Sequence, residues 1–374
     1  MFVLFLGILF STSVNFSQSI NDEEAYVCPP CDMECDKKHF NKPGNCDHCG
    51  MQLVKKVSIK PRKKVAILLF EGVQIIDFTG PYEIFGQARY EVYTVSKKGK
   101  MINTAMNMKV QPTYNFGNAP QPDILVIPGG NVGASSRDKA TISWIKKIER
   151  GTEHLMSVCN GAFILAETNL LEGKTATTFY AQIPQLRKNY PKTKVVSDQR
   201  FVDNGKVITS AGLSAGIEAA LHVVAKEKGL GAAQRIALHI EYLWEPNKKM
   251  ARADYADLKY LRRFTRNFEG MKALKNLRSL LYEGNETSWN AQWEFSTTEK
   301  EKLWKQINQH LAKRAKLYNP KKLKPYQTSW NFKGEQNKEW KFYLALESTS
   351  KKDTHKLTMK LWQKGSLKKY KQDK

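Results

Sequence analysis

The six cysteines of this chain fall into two groups, and each group suggests its own chemistry. Cys159 stands alone within His154 to Leu171, HLMSVCNGAFILAETNLL. The stretch reads as a buried strand over Leu155–Val158, a sharp turn at Cys159-Asn160-Gly161 and a helix opening at Ala162. A thiol on such a turn faces the unpaired N–H groups and the positive dipole end of the helix that follows, which favours thiolate. Gly161 lets the backbone turn tightly against the strand. The plainer alternative is a buried, inert cysteine. The other five cysteines lie between Cys28 and Cys49. Two Cys-x-x-Cys pairs, Cys28/Cys31 and Cys46/Cys49, can present four thiolates to one tetrahedral ion. Lys42-Pro43-Gly44 supplies a turn between the halves, and Cys35, His39, His48 and Met51 are further possible ligands. Four thiolates suit zinc, whereas added thioether and imidazole suit copper. A disulfide-stapled module is the competing reading, but five is an odd number and fits four ligands plus one better than complete pairing.

The elements that must hold Cys159 alternate between strand and helix. Val65–Phe70 and Ile124–Ile127 are continuous apolar runs, as expected of strands buried on both faces. Tyr90–Val95 reads as another strand. Short strands follow at Thr175–Thr178, Val195–Val196, Phe201–Val202 and Val207–Thr209. Helices are expected over Pro81–Ala88, Ile142–Gly151, Ala215–Glu227 and Ala232–Tyr242. This order predicts an α/β fold with a mostly parallel sheet and helices on both faces, its site at the carboxyl ends of the strands. Asp77, Gly129-Gly130 and Cys159 all follow strands and so converge there. Asp77 by itself also fits a turn or helix-capping carboxylate.

Residues 64–245 resemble the ThiJ/PfpI superfamily, whose fold is flavodoxin-like and related to class I glutamine amidotransferases. The matching stretches are Asp77-Phe78-Thr79-Gly80-Pro81-Tyr82-Glu83, Ile127-Pro128-Gly129-Gly130, Ser157-Val158-Cys159-Asn160-Gly161-Ala162, Leu170-Leu171-Glu172-Gly173, Thr177-Thr178 and Thr209-Ser210-Ala211-Gly212 with Gly216-Ile217. Within the superfamily they are most similar to the isonitrile-hydratase-like branch and to the amidase-like domains of AraC-type regulators. The resemblance implies a cysteine nucleophile at Cys159 with the acidic Asp77 beside it. A carboxyl group against a thiolate tends to stay protonated and can then pass a proton to substrate. Backbone N–H groups of Gly129, Gly130 and Asn160 can hold a developing oxyanion. Protease-like members place histidine directly after the cysteine, where this chain has Asn160. Many relatives carry histidine after the paired threonines, where this chain has Phe179-Tyr180. The cysteine-rich segment resembles the small heavy-metal-binding domain of copper efflux proteins and ATPases. The match rests on Tyr26-x-Cys28-Pro29, Lys42-Pro43-Gly44-x-Cys46-x-x-Cys49-Gly50-Met51 and Leu53-Val54. That family often has Met-His where this chain has Pro30-Cys31.

The N-terminus, MFVLFLGILFSTSVNFSQ, reads as a secretory signal peptide over residues 1–18. Its apolar run is too short for a membrane span. The expected location is therefore periplasmic or secreted. From Ala251 to Lys374 there are 29 lysines and arginines against 13 acidic residues, and six of the eight tryptophans. Trp289–Phe295, Gln327–Phe332, Trp340–Leu346 and Leu357–Trp362 read as strands and Thr297–Ala315 as a helix, giving a basic α+β domain over 250–374. No helix-turn-helix pattern is visible, so specific nucleic-acid binding is not expected; contact with an anionic surface is. The domains expected are a cysteine module over 26–56, the α/β domain over 61–246 and this basic domain. The expected partners are a small-molecule substrate, a metal ion (zinc, or another heavy metal such as copper) and further copies of the chain. The function expected is hydrolysis or hydration of a small electrophile. The alternative is a non-enzymatic stress protein that binds metal at its N-terminus and senses oxidants at Cys159.

Overall fold

In a computed structural model, residues 25–29, 33–56, 61–247, 251–261, 274–314 and 318–366 are described. The expected signal peptide and Cys31 lie outside them. The chain divides into two compact units at Arg62/Lys63.

The first unit is a cysteine module. Tyr26–Val27 pairs antiparallel with both His39–Phe40 and Val54–Lys55, making a three-stranded sheet. Its small core is Cys28, Cys35, Cys46 and Leu53, with Tyr26, Phe40, Cys49 and Met51 packed on it. Four core side chains bury too little apolar surface to offset chain entropy unaided, so cross-linking at the sulfurs has work to do.

The second unit begins with a seven-stranded sheet. Its strands are β1 (Lys64–Leu68), β2 (Glu91–Ser96), β3 (Tyr114–Asn115), β4 (Ile124–Ile127), β5 (His154–Val158), β6 (Phe201–Asn204) and β7 (Val207–Ser210), in the spatial order β6-β7-β5-β4-β1-β2-β3. All neighbours run parallel except β6 against β7. Each residue of β4 and β5 is buried, which is why these segments show no polar alternation. The helices are α1 (Ile75–Gln87), α2 (Gly133–Arg137), α3 (Lys139–Glu149), α4 (Gly161–Ala166), α5 (Ile183–Asn189), α6 (Ser214–Lys228) and α7 (Leu230–His239). This is the expected doubly wound α/β architecture. One boundary moves. Helix α1 starts at Ile75, well before Pro81, so Asp77 sits in a helical first turn and not on a loop. Pro81 lies inside the helix, where its ring removes the hydrogen bond to the carbonyl of residue 77 and crowds that carbonyl.

The C-terminal part is a six-stranded antiparallel sheet. Its strands are β8 (Lys275–Gly284), β9 (Ser288–Ser296), β10 (Tyr318–Lys324), β11 (Gln327–Lys333), β12 (Glu339–Ser348) and β13 (Thr354–Gln363), ordered β8-β9-β13-β12-β11-β10. Helix α8 (Lys300–Arg314) buries Leu303, Ile307 and Leu311 in the same core as Trp289, Phe295, Trp330, Phe342 and Leu357. Among the described residues no helix is long and apolar enough to cross a membrane.

Candidate functional site

Cys159 follows β5 directly and adopts φ +56°, a left-handed conformation that a non-glycine residue holds only when its surroundings enforce it. The enforcement is visible. Its N–H donates to Ser210 O across to β7 (3.1 Å), and Thr178 Oγ1 donates to its carbonyl (2.8 Å). The side chain is 6 % exposed. Leu213, at φ +54°, is the second strained non-glycine residue here, and its N–H donates to Asp77 Oδ1 (3.0 Å). Gly129 N–H donates to Asp77 Oδ2 (3.2 Å). Asp77 is fully buried, with the Cys159 side chain beside its carboxylate. Gly129 tolerates no side chain: a Cβ there would lie 2.6 Å from Asn160 N, 2.7 Å from Cys159 Cβ and 2.8 Å from Asp77 Oδ2.

Sequence reasoning put the charge on sulfur and the proton on Asp77. In the structure burial raises both groups. Burial, with the neighbouring Asp77 charge behind it, pushes the Cys159 thiol far above its ordinary value, against the N–H groups of Asn160 and Gly130 that pull it down. Burial also raises Asp77, but only to about 6, because the N–H of Leu213, the thiol and the N–H of Gly129 all favour its charged form. At neutral pH the pair therefore holds one proton between its sulfur and its carboxylate. A short helix of six residues does not outweigh burial beside a carboxylate. Two consequences follow for Asp77→Asn. Removing the adjacent negative charge lowers the thiol pKa, so alkylation of Cys159 by iodoacetamide at pH 8 is expected to rise about tenfold, while catalysis falls. The folded-state pKa of Asp77 lies above its ordinary 3.8, so its contribution to stability is complete below that pH and is lost as pH rises through about 6. That slope, worth up to about 3 kcal/mol, is expected in chemical denaturation of the wild type and absent in the variant.

Of the predicted site residues, Asp77, Cys159, Gly129, Gly130 and Asn160 come together. Gly129 spends its N–H on Asp77, which leaves Gly130 and Asn160 directed at the sulfur. The Asn160 side chain donates to Gly130 O (3.2 Å). The described partners of Cys159 include no imidazole. His154 pairs with Glu227 (2.8 Å) and His222 with Asp203 (2.9 Å), away from the sulfur. Gly212, the last residue of Thr209-Ser210-Ala211-Gly212, also belongs to the site. A Cβ at Gly212 would lie 3.1 Å from the Cys159 sulfur. Gly212 and Thr178 also border a cavity of about 370 Å³, lined further by Thr177, Tyr180, Leu213 and Arg252 among others. The hydroxyl of Thr177 is buried there without a hydrogen-bond partner.

In the cysteine module the sulfurs of Cys28, Cys35, Cys46 and Cys49 lie within 4.8 Å of one another. Cys28 and Cys49 are 3.2 Å apart and Cys28 and Cys35 3.9 Å. A tetrahedral ion bound at about 2.3 Å needs sulfurs about 3.8 Å apart, so the set fits one metal. The Cys46–Cys49 knuckle is held by Cys46 N–H on Met51 O and Gly50 N–H on Cys46 O, with Gly50 at φ +74°. Cys49 is drawn down to about 7, first by the Met51 N–H and then by Cys28. Cys35, read from the sequence as a further ligand, is the fourth member of this cluster. His39 and His48 are exposed and stand outside it.

Residues 63–226 match the DJ-1/PfpI family and residues 25–56 the heavy metal binding domain. An isonitrile hydratase of Pseudomonas putida is 32 % identical over 188 residues, covering 49 % of this chain and 80 % of that protein. This chain belongs to the DJ-1/PfpI family. Protein dj-1beta of Drosophila melanogaster, 23 % identical over 180 residues, covers 47 % of this chain, and the match takes in 95 % of that protein. Among solved structures, a THiJ/PfpI family protein from Pseudomonas syringae aligns with a TM-score of 0.46 and 27 % identity over 50 % of this chain and 78 % of that one. The DJ-1/PfpI match ends at residue 226, before the C-terminal sheet.

Proposed function

We propose that this DJ-1/PfpI protein is an exported enzyme in which Cys159 adds to a small electrophilic carbon–nitrogen or carbonyl compound, which water then releases. The observation that carries the reading is the thiol–carboxylate pair: a strained cysteine set against a buried aspartate whose oxygens are held by two backbone N–H groups. Similarity to an isonitrile hydratase makes an alkyl isonitrile the first substrate to test.

Asp77, charged above pH about 6, takes the thiol proton as sulfur attacks the terminal carbon of R–NC. It returns the proton to that carbon, giving a thioimidate, R–N=CH–S–Cys159. Water adds to the same carbon with its proton passing through Asp77 to nitrogen. The carbon–sulfur bond then breaks, releasing R–NH–CHO and the thiol. Charge that builds on sulfur or on the added oxygen lies against the N–H groups of Gly130 and Asn160. The unpartnered Thr177 hydroxyl can bind the water or a substrate heteroatom. Because Asp77 must be charged, kcat/KM is expected to rise with pH through an apparent pKa near 6 and then level off. An NMR assay for the formyl proton, run over a panel of isonitriles, nitriles and small carbonyl compounds, tests the reading. No turnover of any member would sink it.

The cysteine module is proposed to bind zinc through Cys28, Cys35, Cys46 and Cys49, since an all-thiolate set suits that ion. When bound, the ion would supply a structural cross-link. Export is proposed from the apolar N-terminus, and sequencing the N-terminus of the mature protein tests it. Contact of the basic C-terminal domain with an anionic surface and self-association remain part of the proposal, tested by vesicle co-sedimentation and by mass in solution.

A further inference from the structure

The cavity beside Cys159 has a wall that the family domain does not supply. Ala251, Arg252, Ala253 and Tyr255, all beyond residue 226, line it opposite Thr177 and Tyr180. This strip is a single turn with little secondary structure of its own, so its position depends on what holds it. Arg252 is the fastener. Its Nη1 and Nη2 donate to Asp257 Oδ1 and Oδ2, both at 2.6 Å, in the fork geometry that fixes a guanidinium most firmly. Asp257 is 2 % exposed and also accepts from the Tyr282 hydroxyl of β8 (2.9 Å). Ala256 N–H donates to Asn285 O in the turn between β8 and β9 (2.9 Å). The face of the same guanidinium lies 4.7 Å from the Tyr255 ring centre and 5.8 Å from that of Tyr180, which belongs to the family domain. One side chain thus joins the cavity lining on both sides to the C-terminal sheet.

We propose that this cavity, which Cys159 itself does not line, is the approach to its sulfur past Gly212, and that the C-terminal domain builds its outer wall through Arg252 and Tyr255 and so sets the size of the molecule that reaches the sulfur. Arg252 is a positioning residue, and Tyr255 is the specificity-determining surface it positions. At about 370 Å³ the enclosed space is at the small end for ligand pockets, which restricts substrates to compact molecules. The inference deepens the proposed function, because it assumes that Cys159 is the atom to be reached.

The test is a competition between two thiol reagents on the full chain, small iodoacetamide and bulky N-phenylmaleimide, with labelling of the Cys159 peptide read by mass spectrometry. The ratio of bulky to small labelling is expected to rise about tenfold in Tyr255→Ala and in Arg252→Ala, with the absolute iodoacetamide rate changed far less. Tyr255→Ala leaves the Arg252–Asp257 fork in place, so it keeps the test valid if Arg252→Ala misfolds. A ratio within about twofold of wild type in folded Tyr255→Ala would overturn the proposal. The readout does not need turnover: a shifted ratio with no isonitrile hydration supports the wall and rejects the enzyme, whereas hydration with an unshifted ratio does the opposite.

Discussion

Replacing Cys159 with alanine is expected to abolish turnover of whichever isonitrile the wild type hydrates, by about a thousandfold or more, while leaving the fold intact. The side chain is small and partners Asp77 chiefly through its proton, so alanine fits the same space. Covalent catalysis has no substitute at this position, because the described neighbours offer no second nucleophile within the Asp77–Gly129–Leu213 cradle. Asp77→Asn is expected to lose about a hundredfold or more, since the amide cannot take the thiol proton. Its Cys159 should nonetheless alkylate faster than wild type. Unfolding would also free the buried thiol and abolish turnover, so the opposed pair marks a proton-transfer role when the variant unfolds in denaturant as cooperatively as the wild type. It also distinguishes the enzyme from the oxidant sensor. A sensor needs its thiolate exposed and stable at rest, and burial beside a charged Asp77 works against that.

The second large effect is at the module. Removing metal with a strong chelator, or substituting Cys46→Ser, is expected to unfold residues 25–56 while the α/β domain keeps its structure. Structural zinc supplies about 10 kcal/mol or more of folding free energy in small thiolate sites, far beyond what Cys28, Cys35, Cys46 and Leu53 can bury. One equivalent of metal per chain by elemental analysis, falling to none in Cys46→Ser, checks it. A module that stays folded after complete demetallation, in reducing buffer, would contradict a structural ion.

Much of this was legible in the residues. β4 has no polar position and β5 does not alternate polar with apolar, and such runs in alternation with helices leave few folds. The Cys159 turn was legible because a strand, a cysteine, an asparagine and a glycine must turn before Ala162 can begin a helix. What the sequence could not show was how the carboxylate is held against the sulfur. That depends on Leu213 and Gly129, remote in sequence, both donating to Asp77. The start of α1 was misplaced because Pro81 reads as a first-turn residue and lies instead in the helix interior. The strands β8 and β10 were missed for a related reason. Both are edges of the C-terminal sheet, and lysines with exposed positions blunt the alternation that marked β9, β11, β12 and β13. The Arg252 wall had no sequence signal, since nothing in Ala251–Tyr255 tells which cavity it faces.

The most direct measurement is intact-mass spectrometry of the protein acid-quenched during turnover of an alkyl isonitrile. A gain equal to one isonitrile, mapped to Cys159 and disappearing as formamide accumulates, is the predicted result. Formamide released at the wild-type rate by Cys159→Ala, with no adduct in either protein, would contradict the account.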